Sequence, residues 1–500
     1  MIRTLAAPLL GTLFLLAVAG CQPAETDQAP DVAMEQGADT PVGARLTTAL
    51  ATDGRYISWR ERIIDDESIG GPQLRGSDGL VMIDLNLDGI EDIVSVHESD
   101  TEYDGVPDGL IRIAFGTEDP NEWVSVTLAS GAEAGAPEDV AVGDMNGDGY
   151  PDIVAACELA HLIYFQNPGA GAATETWQRL IPDGASGRGS FIRVFLADLT
   201  GDGRLEVVTA NKGAQSPTFT MDPNAISWFL IEGDPLASTS WVEHELTRVR
   251  WPINAQPVDL DRDGDIDVVG GSTTEARIMW FENLGGGQFS EHSIQISGTA
   301  VPRERIRRRD LEREGAVVNG FNMAFADMNR SGRLDIVLAE SGHTLVWLEQ
   351  PSGPDDIWNL HAIGTHWPDR LTGIEVSDIN GDGRPDVITG GYSGGSRDQD
   401  DDIDLAAAMG RLAWFEHPGD LILDWTRHDI SRRKRGMFDK FVPRDMDGDG
   451  DIDFVSTRGN SAPYDGVFWL EQVWSSEPIA SFEQFREVDS TQLPLPNNIE

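Results

Sequence analysis

One eleven-residue pattern recurs seven times in this chain, and its spacing excludes most folds before composition is considered. The copies are "DLNLDGIEDIV" from Asp84, "DMNGDGYPDIV" from Asp144, "DLTGDGRLEVV" from Asp198 and "DLDRDGDIDVV" from Asp259. They continue as "DMNRSGRLDIV" from Asp327, "DINGDGRPDVI" from Asp378 and "DMDGDGDIDFV" from Asp445. Successive first aspartates lie 51 to 68 residues apart. Self-similarity at such a period marks an array of equivalent supersecondary units, each burying its apolar surface against its neighbours.

The rest of each unit repeats as well. An apolar run precedes the pattern ("EDVAVG", "FIRVFLA", "NGFNMAFA", "LTGIEVS"), and an aromatic run follows it ("LIYFQN", "RIMWFEN", "TLVWLEQ", "RLAWFEH"). A Trp-centred segment closes the unit ("WQRLI", "WVEHEL", "WNLHAI", "WTRHDI"). Four short β-rich runs broken by Gly, Asp and Pro predict a four-stranded antiparallel blade, and seven blades predict a β-propeller. The seventh unit ends at "VFWLEQV" (Val467–Val473) with no Trp-centred segment. The missing piece stands at the other end, in "RYISWRERIID" from Arg55, where Trp59, Arg62 and Ile64 match the spacing of Trp425, His428 and Ile430. The expected fold is therefore all-β, a seven-bladed propeller closed by an N-terminal strand, which removes the exposed sheet edge.

These phased "DxDxDGxxDIV" loops with interleaved "WFEN" strands resemble FG-GAP/VCBS repeat propellers, the family that includes the integrin α-subunit head. The resemblance covers roughly residues 50–475. The loops also carry a chemical expectation of their own. Ca²⁺ takes six to eight oxygens in flexible geometry, which closely spaced carboxylates and backbone carbonyls supply. The expected ligand sets are Asp84, Asn86, Asp88 and Asp92; Asp144, Asn146, Asp148 and Asp152; Asp198, Thr200, Asp202 and Glu206; and Asp259, Asp261, Asp263 and Asp267. The remaining sets are Asp327, Asn329 and Asp335; Asp378, Asn380, Asp382 and Asp386; and Asp445, Asp447, Asp449 and Asp453. Position seven of each loop adds a backbone carbonyl. An EF-hand is excluded, because β-branched residues begin where its twelfth-position Glu and flanking helix would stand. The all-Asp loops at Asp259 and Asp445 are expected to bind tightest and the Asp327 loop weakest, with several structural Ca²⁺ overall. Asp100, Glu102, Asp104 and Asp108 form an out-of-phase acidic run, read as a turn rather than a metal site.

Net charge is −48, which speaks against nucleic acid as a partner, since phosphate binding needs surplus Lys and Arg. Arg3, the apolar run Leu5–Ala19 and "LAVAGC" ending at Cys21 read as an export signal, and "VAGC" resembles a bacterial lipobox with Cys21 as the lipidated residue. The expected organisation is a signal over 1–21, a flexible acidic linker over 22–49, the propeller over 50–475 and an irregular tail over 476–500. The expected location is the cell envelope, as an outer-membrane lipoprotein held by its lipid. Cys157, without a disulfide partner, is expected to be a small buried residue.

Saturated structural cages leave no open position for chemistry, so function is expected on the opposite face. Five residues before each first aspartate stand Gly79, Asp139, Arg193, Asn254, Asn322, Gly373 and Lys440, a polar ring predicted to line the tunnel. One residue later stand Leu80, Val140, Val194, Ala255, Met323, Ile374 and Phe441, predicted to pack between blades. Arg303, Arg305, Arg307, Arg308, Arg309 and Arg313, with Arg432, Arg433, Lys434 and Arg435, fall on connections of that face. Pairing with acidic loops such as "RDQDDDIDL" is favoured for them over anion capture. His244, His292, His361 and His428 recur at one outer-strand position and read as repeat structure. Two functions compete. The preferred one is a lipid-anchored binding or scaffold module for a polysaccharide or protein. The alternative is a carbohydrate lyase or dehydratase using His343, His366, Tyr392, Arg193 and Arg370. No nucleophile elbow, HExxH, P-loop or dinucleotide fingerprint is present.

Overall fold

Each acidic loop is followed by a strand buried along nearly its whole length, because both faces of every blade are covered. Asp92–His97, Asp152–Cys157, Glu206–Asn211, Asp267–Ser272 and Asp453–Arg458 are buried at all positions. Such strands read as continuous apolar runs, not as alternation. The computed structural model describes residues 37–99, 106, 108–159, 161–213, 222–302, 305 and 315–496. Cys21 and the signal, linker residues 22–36, the run Asp100–Asp104, and Arg303, Arg307, Arg308, Arg309 and Arg313 lie outside the described residues. Among the described residues no helix is long and apolar enough to cross a membrane.

Seven antiparallel sheets form the blades of a propeller. Their inner strands are Ser77–Ile83, Pro137–Gly143, Phe191–Ala197, Pro252–Val258, Val318–Ala326, Arg370–Ser377 and Phe441–Arg444. Each acidic loop is the hairpin joining an inner strand to the next, as predicted. Seven apolar clusters hold the ring together, each shared by two adjacent blades. Blades one and two, for example, share Val94, Ile111, Val140 and Ile153, and blades seven and one share Val455, Trp469, Leu80 and Ile93. Cys157 is buried in such a cluster, and burial pushes its thiol up, so it is inert packing.

The predicted closure is present. Tyr56–Asp66 pairs antiparallel with Gly466–Ser475, with Trp59 opposite Gln472 and Arg62 opposite Trp469. Arg62 thus takes the place that His428 takes opposite Trp414 in blade six. The recurring histidines are repeat structure: His244, His361 and His428 stack on Trp228, Trp347 and Trp414 at centroid distances of 4.3, 4.2 and 4.4 Å. His292 lies tilted on Trp280, and His292, His361 and His428 each meet a glutamate of the neighbouring strand.

The described terminal segments are packed against the blades. Residues from Pro41 to Leu50 and from 476 to 496 form a lining on blades six and seven. Phe482–Glu483 adds a parallel strand beside Trp59, Val42 N donates to Leu493 O, and Thr47 N donates to Ile479 O. Asp489 and Ser490 are buried. These segments lack periodicity because they bond to blade edges residue by residue rather than forming a sheet of their own.

A side-chain stitch between blades repeats five times and was not anticipated. The residue ending the third strand sends its side chain to the second-position carbonyl of the preceding blade's hairpin. Asn167 reaches Leu85 O, Asn283 Leu199 O, Gln350 Leu260 O, His417 Met328 O and Gln472 Ile379 O, at 2.8 to 3.2 Å. In blade one Gly116 takes this place, where a Cβ would stand 2.5 Å from Glu91 O. Gln472→Ala strips the buried carbonyl of Ile379 and the half-buried one of Ile452 of this donor. It is expected to cost ~1–3 kcal/mol, read as a lowered urea midpoint with unchanged slope.

Candidate functional site: seven acidic hairpins and a seven-blade mouth

Each hairpin wraps its backbone around its first carboxylate. In the Asp144 copy, Oδ1 accepts from Gly147 N at 2.7 Å, Oδ2 accepts from Gly149 N at 2.8 Å, and Asp148 Oδ1 accepts from Tyr150 N at 2.9 Å. Gly147 and Gly149 have φ of +79° and +91°, which a side chain would strain. Position nine plays a second part beyond the predicted one. Asp152 is fully buried, its Oδ2 accepting from Met145 N and Tyr164 Oη and its Oδ1 from Asn167 N. It therefore clasps the hairpin to the third strand. The same clasp recurs at Asp92, Asp267, Asp335, Asp386 and Asp453. Burial raises these carboxyls, to about 6 at Asp92, Asp152, Glu206 and Asp335 and to about 7 at Asp267, Asp386 and Asp453.

The donor sets fit a hard cation in two hairpins above all. Asp259, Asp261 and Asp263, and likewise Asp445, Asp447 and Asp453, place one oxygen each within 4.8 Å of one another. The seventh hairpin adds Asp451, 4% exposed, whose two carboxylate oxygens have no hydrogen-bond partner. Burial and then the neighbouring Asp453 push Asp451 up to about 8. An orphaned buried carboxylate among three others is a donor set short of a cation.

At the other end of the tunnel lies a cavity of about 340 Å³ lined by all seven blades. The predicted polar ring lines a narrower space of about 50 Å³ just inside it, where Asp139, Arg193, Asn254, Asn322 and Lys440 stand. That ring is largely self-satisfied. Arg193 Nη2 lies 3.2 Å from Asn322 Oδ1 and 3.3 Å from Asp439 Oδ2, and Asn254 Nδ2 donates to Gly320 O. Of the five, Asn322 also reaches the larger cavity. The cavity floor is made by the residue one place earlier: Asp78, Glu138, Ile192, Ile253, Phe321, Thr372 and Asp439. Register shifts at the start of six inner strands explain this. A bulge breaks the alternation, so two consecutive residues face the tunnel where strict pleating allows one. Three acidic residues at one repeat position were the available signal.

Arg370 and Tyr392 stand on the cavity wall as cross-strand partners, beside Arg397, whose Nη2 donates to Tyr392 Oη at 2.8 Å. Lys212 lines the same space and pairs with Glu158. The two candidate histidines are not there. His366 is fully buried against Phe415, with Nε2 at 2.9 Å from Thr389 Oγ1. Burial and the nearby Arg411 and Arg427 hold its ring well below the usual histidine range. His343 lies edge-on to Trp367 beside Thr344. Both stand on turns between strands, with their side chains turned into buried contacts rather than toward the cavity. Of the second cluster, Arg435 pairs with Asp400 of the expected acidic loop, Arg432 and Arg433 pair elsewhere with Asp369 and Glu61, and Lys434 Nζ donates to Asp401 O.

Fold and hairpins together define a seven-bladed propeller whose inner hairpins carry a repeated acidic loop. An FG-GAP-like repeat model matches residues 84–155, 144–209 and 327–389, each match beginning on the first aspartate of a hairpin. The chain carries FG-GAP-like repeats within a seven-bladed β-propeller. No curated protein matches it. Among solved structures it is similar to BBS1N in complex with ARL6DN, in crystals soaked with lead (10% identity, 84% of this chain and 98% of that chain covered, TM-score 0.43). The mercury-soaked form gives 9%, 83%, 97% and 0.44. It is also similar to the V. cholerae biofilm matrix protein Bap1, at 11% identity, covering 89% of this chain and 94% of that chain, with a TM-score of 0.40.

Proposed function

We propose that this chain is an exported, lipid-anchored propeller, rigidified by Ca²⁺ in its acidic hairpins, that binds a carbohydrate in the seven-blade mouth. The observation that carries the reading is the cavity itself, whose lining combines apolar and polar side chains. Ile253, Val318, Phe321, Leu371 and Met437 supply the apolar part, and Asp78, Glu98, Glu138, Arg370 and Tyr392 the polar part. A sugar ring has such a duality, with C–H faces and hydroxyl edges. Ser341 Oγ, on the wall and buried, has no hydrogen-bond partner, which a ligand hydroxyl would supply. Arg370, exposed at the rim, suits a uronate carboxylate.

In the hairpins Asp259, Asp261, Asp263 and Asp267, and Asp445, Asp447, Asp449, Asp451 and Asp453, would hold the ion. When bound, Ca²⁺ neutralises the clustered carboxylates and locks the turn. Glycan-array screening followed by calorimetry on uronic-acid oligomers tests the ligand reading. Arg370→Ala and Tyr392→Phe are expected to weaken binding about tenfold or more without lowering the melting temperature. Equal affinity in both variants removes the mouth as the binding site. Depolymerisation of the oligomers by the wild-type chain would establish the enzyme reading in place of the binding one.

A further inference from the structure

Asp78, Glu98 and Glu138 meet on the cavity floor, at the opposite end of the blades from the acidic hairpins, and the repeat chemistry does not account for them. Asp78 and Glu138 come from the bulged starts of the first two inner strands, and Glu98 directly follows the strand Asp92–His97. They are 5%, 4% and 9% exposed, and each places one oxygen within 4.8 Å of the others. Glu98 is held in place over Gly76, where a Cβ would stand 2.9 Å from its Oε2. Arg193, Arg397 and Lys212 act on the trio electrostatically from the cavity wall, and Lys212 is also paired with Glu158.

Two features point to a ligand between them. Ca²⁺ takes its oxygens at about 2.3–2.6 Å, so three oxygens within 4.8 Å of one another are close enough to converge on one ion. Independently, Asp78 Oδ2 is buried with no hydrogen-bond partner, a cost that coordination would remove. Burial and mutual repulsion hold Asp78 and Glu98 well above the usual carboxylate range.

We propose that Asp78, Glu98 and Glu138 form a divalent-cation site of the Ca²⁺ or Mn²⁺ class on the cavity floor, separate from the hairpin ions and open toward the cavity. Three carboxylates leave coordination positions free, and these accept oxygens of the ligand, such as vicinal hydroxyls or a uronate carboxylate. Only this last step rests on the saccharide reading above.

The ion and its ligand are tested separately, on the full chain. Stripped protein is dialysed against Ca²⁺, and ions per chain are counted by elemental analysis. E98Q/E138Q is expected to bind one ion fewer than wild type, D259N/D261N one fewer at a different place, and the combined variant two fewer. Wild-type crystals soaked in Mn²⁺ are expected to show an anomalous peak among Asp78, Glu98 and Glu138, a measurement that does not depend on any variant folding. Hairpin peaks with none at the trio, or an unchanged ion count in folded E98Q/E138Q, would overturn the site. A peak at the trio together with saccharide affinity unchanged in E98Q/E138Q keeps the ion and removes its ligand role. A peak at the trio with no saccharide binding in the wild type defeats the function proposed above and leaves the ion standing.

Discussion

Removing divalent cations with EDTA is expected to lower the melting temperature by roughly 10 °C. Each ion site held about a thousandfold above its Kd contributes ~4 kcal/mol, so the two all-Asp hairpins alone account for ~8 kcal/mol. At about 2–4 °C per kcal/mol for a 150–250-residue domain, and less for a longer one, that sum gives the expected shift. Scanning calorimetry with and without Ca²⁺ measures it. An unchanged transition in a chain that elemental analysis finds metal-free would defeat the calcium reading. The pH dependence supplies an independent readout. The position-nine carboxyls titrate near 6 to 7 when folded, above their unfolded values. Their contribution to stability is therefore present at low pH and lost as pH rises through that window. The metal-free chain should gain stability as pH falls from 7.5 to 5. With millimolar Ca²⁺, which competes with those protons, that gain should vanish or reverse.

Glu61→Ala is expected to destabilise the chain by ~3–5 kcal/mol, the cost of leaving the buried Arg433 uncompensated while Arg458 keeps Asp489. Glu61 lies on the closing strand and is 1% exposed. Its Oε1 accepts from Arg433 Nη2 at 2.9 Å and Arg458 Nη1 at 3.1 Å, and its Oε2 from Phe485 N at 3.2 Å. Burial works to raise this carboxyl, but Arg433 and Arg458 hold it below the usual glutamate range. One side chain thus joins the outer strand of blade six, the second strand of blade seven and the C-terminal segment. Urea denaturation measures the loss, and limited proteolysis near Tyr56 should report opening at the seam. A loss below about 1 kcal/mol would show that the seam is held by apolar packing alone. The interaction could not have been foreseen, because its partners are hundreds of residues apart and share no motif.

The contrast between Asp84 and Asp78 shows what was legible. Asp84 and its copies stand in a local turn whose ligands, glycine and strand start are neighbours in sequence, so the chemistry is written in one short stretch. Asp78 owes its position to a bulge, and its partners come from another strand end and another blade. The same holds for Asn167 and Gln472, quoted as the ends of aromatic strands but functioning as stitches to the preceding blade. His366 failed as a ligand-face residue for the converse reason: a connection on the correct face still turned its side chain into the core.

The sequence by itself determined the repeat, the number of blades, the acidic hairpins and the strand that closes the ring. Each depends on local pattern or on matching between units, and periodicity reports such relations directly. The tertiary structure alone decided which of two adjacent polar rings faces the cavity, which arginines are ion-paired, and where three carboxylates converge. Those outcomes depend on a one-residue bulge and on contacts across the ring, and neither leaves a periodic trace in the chain.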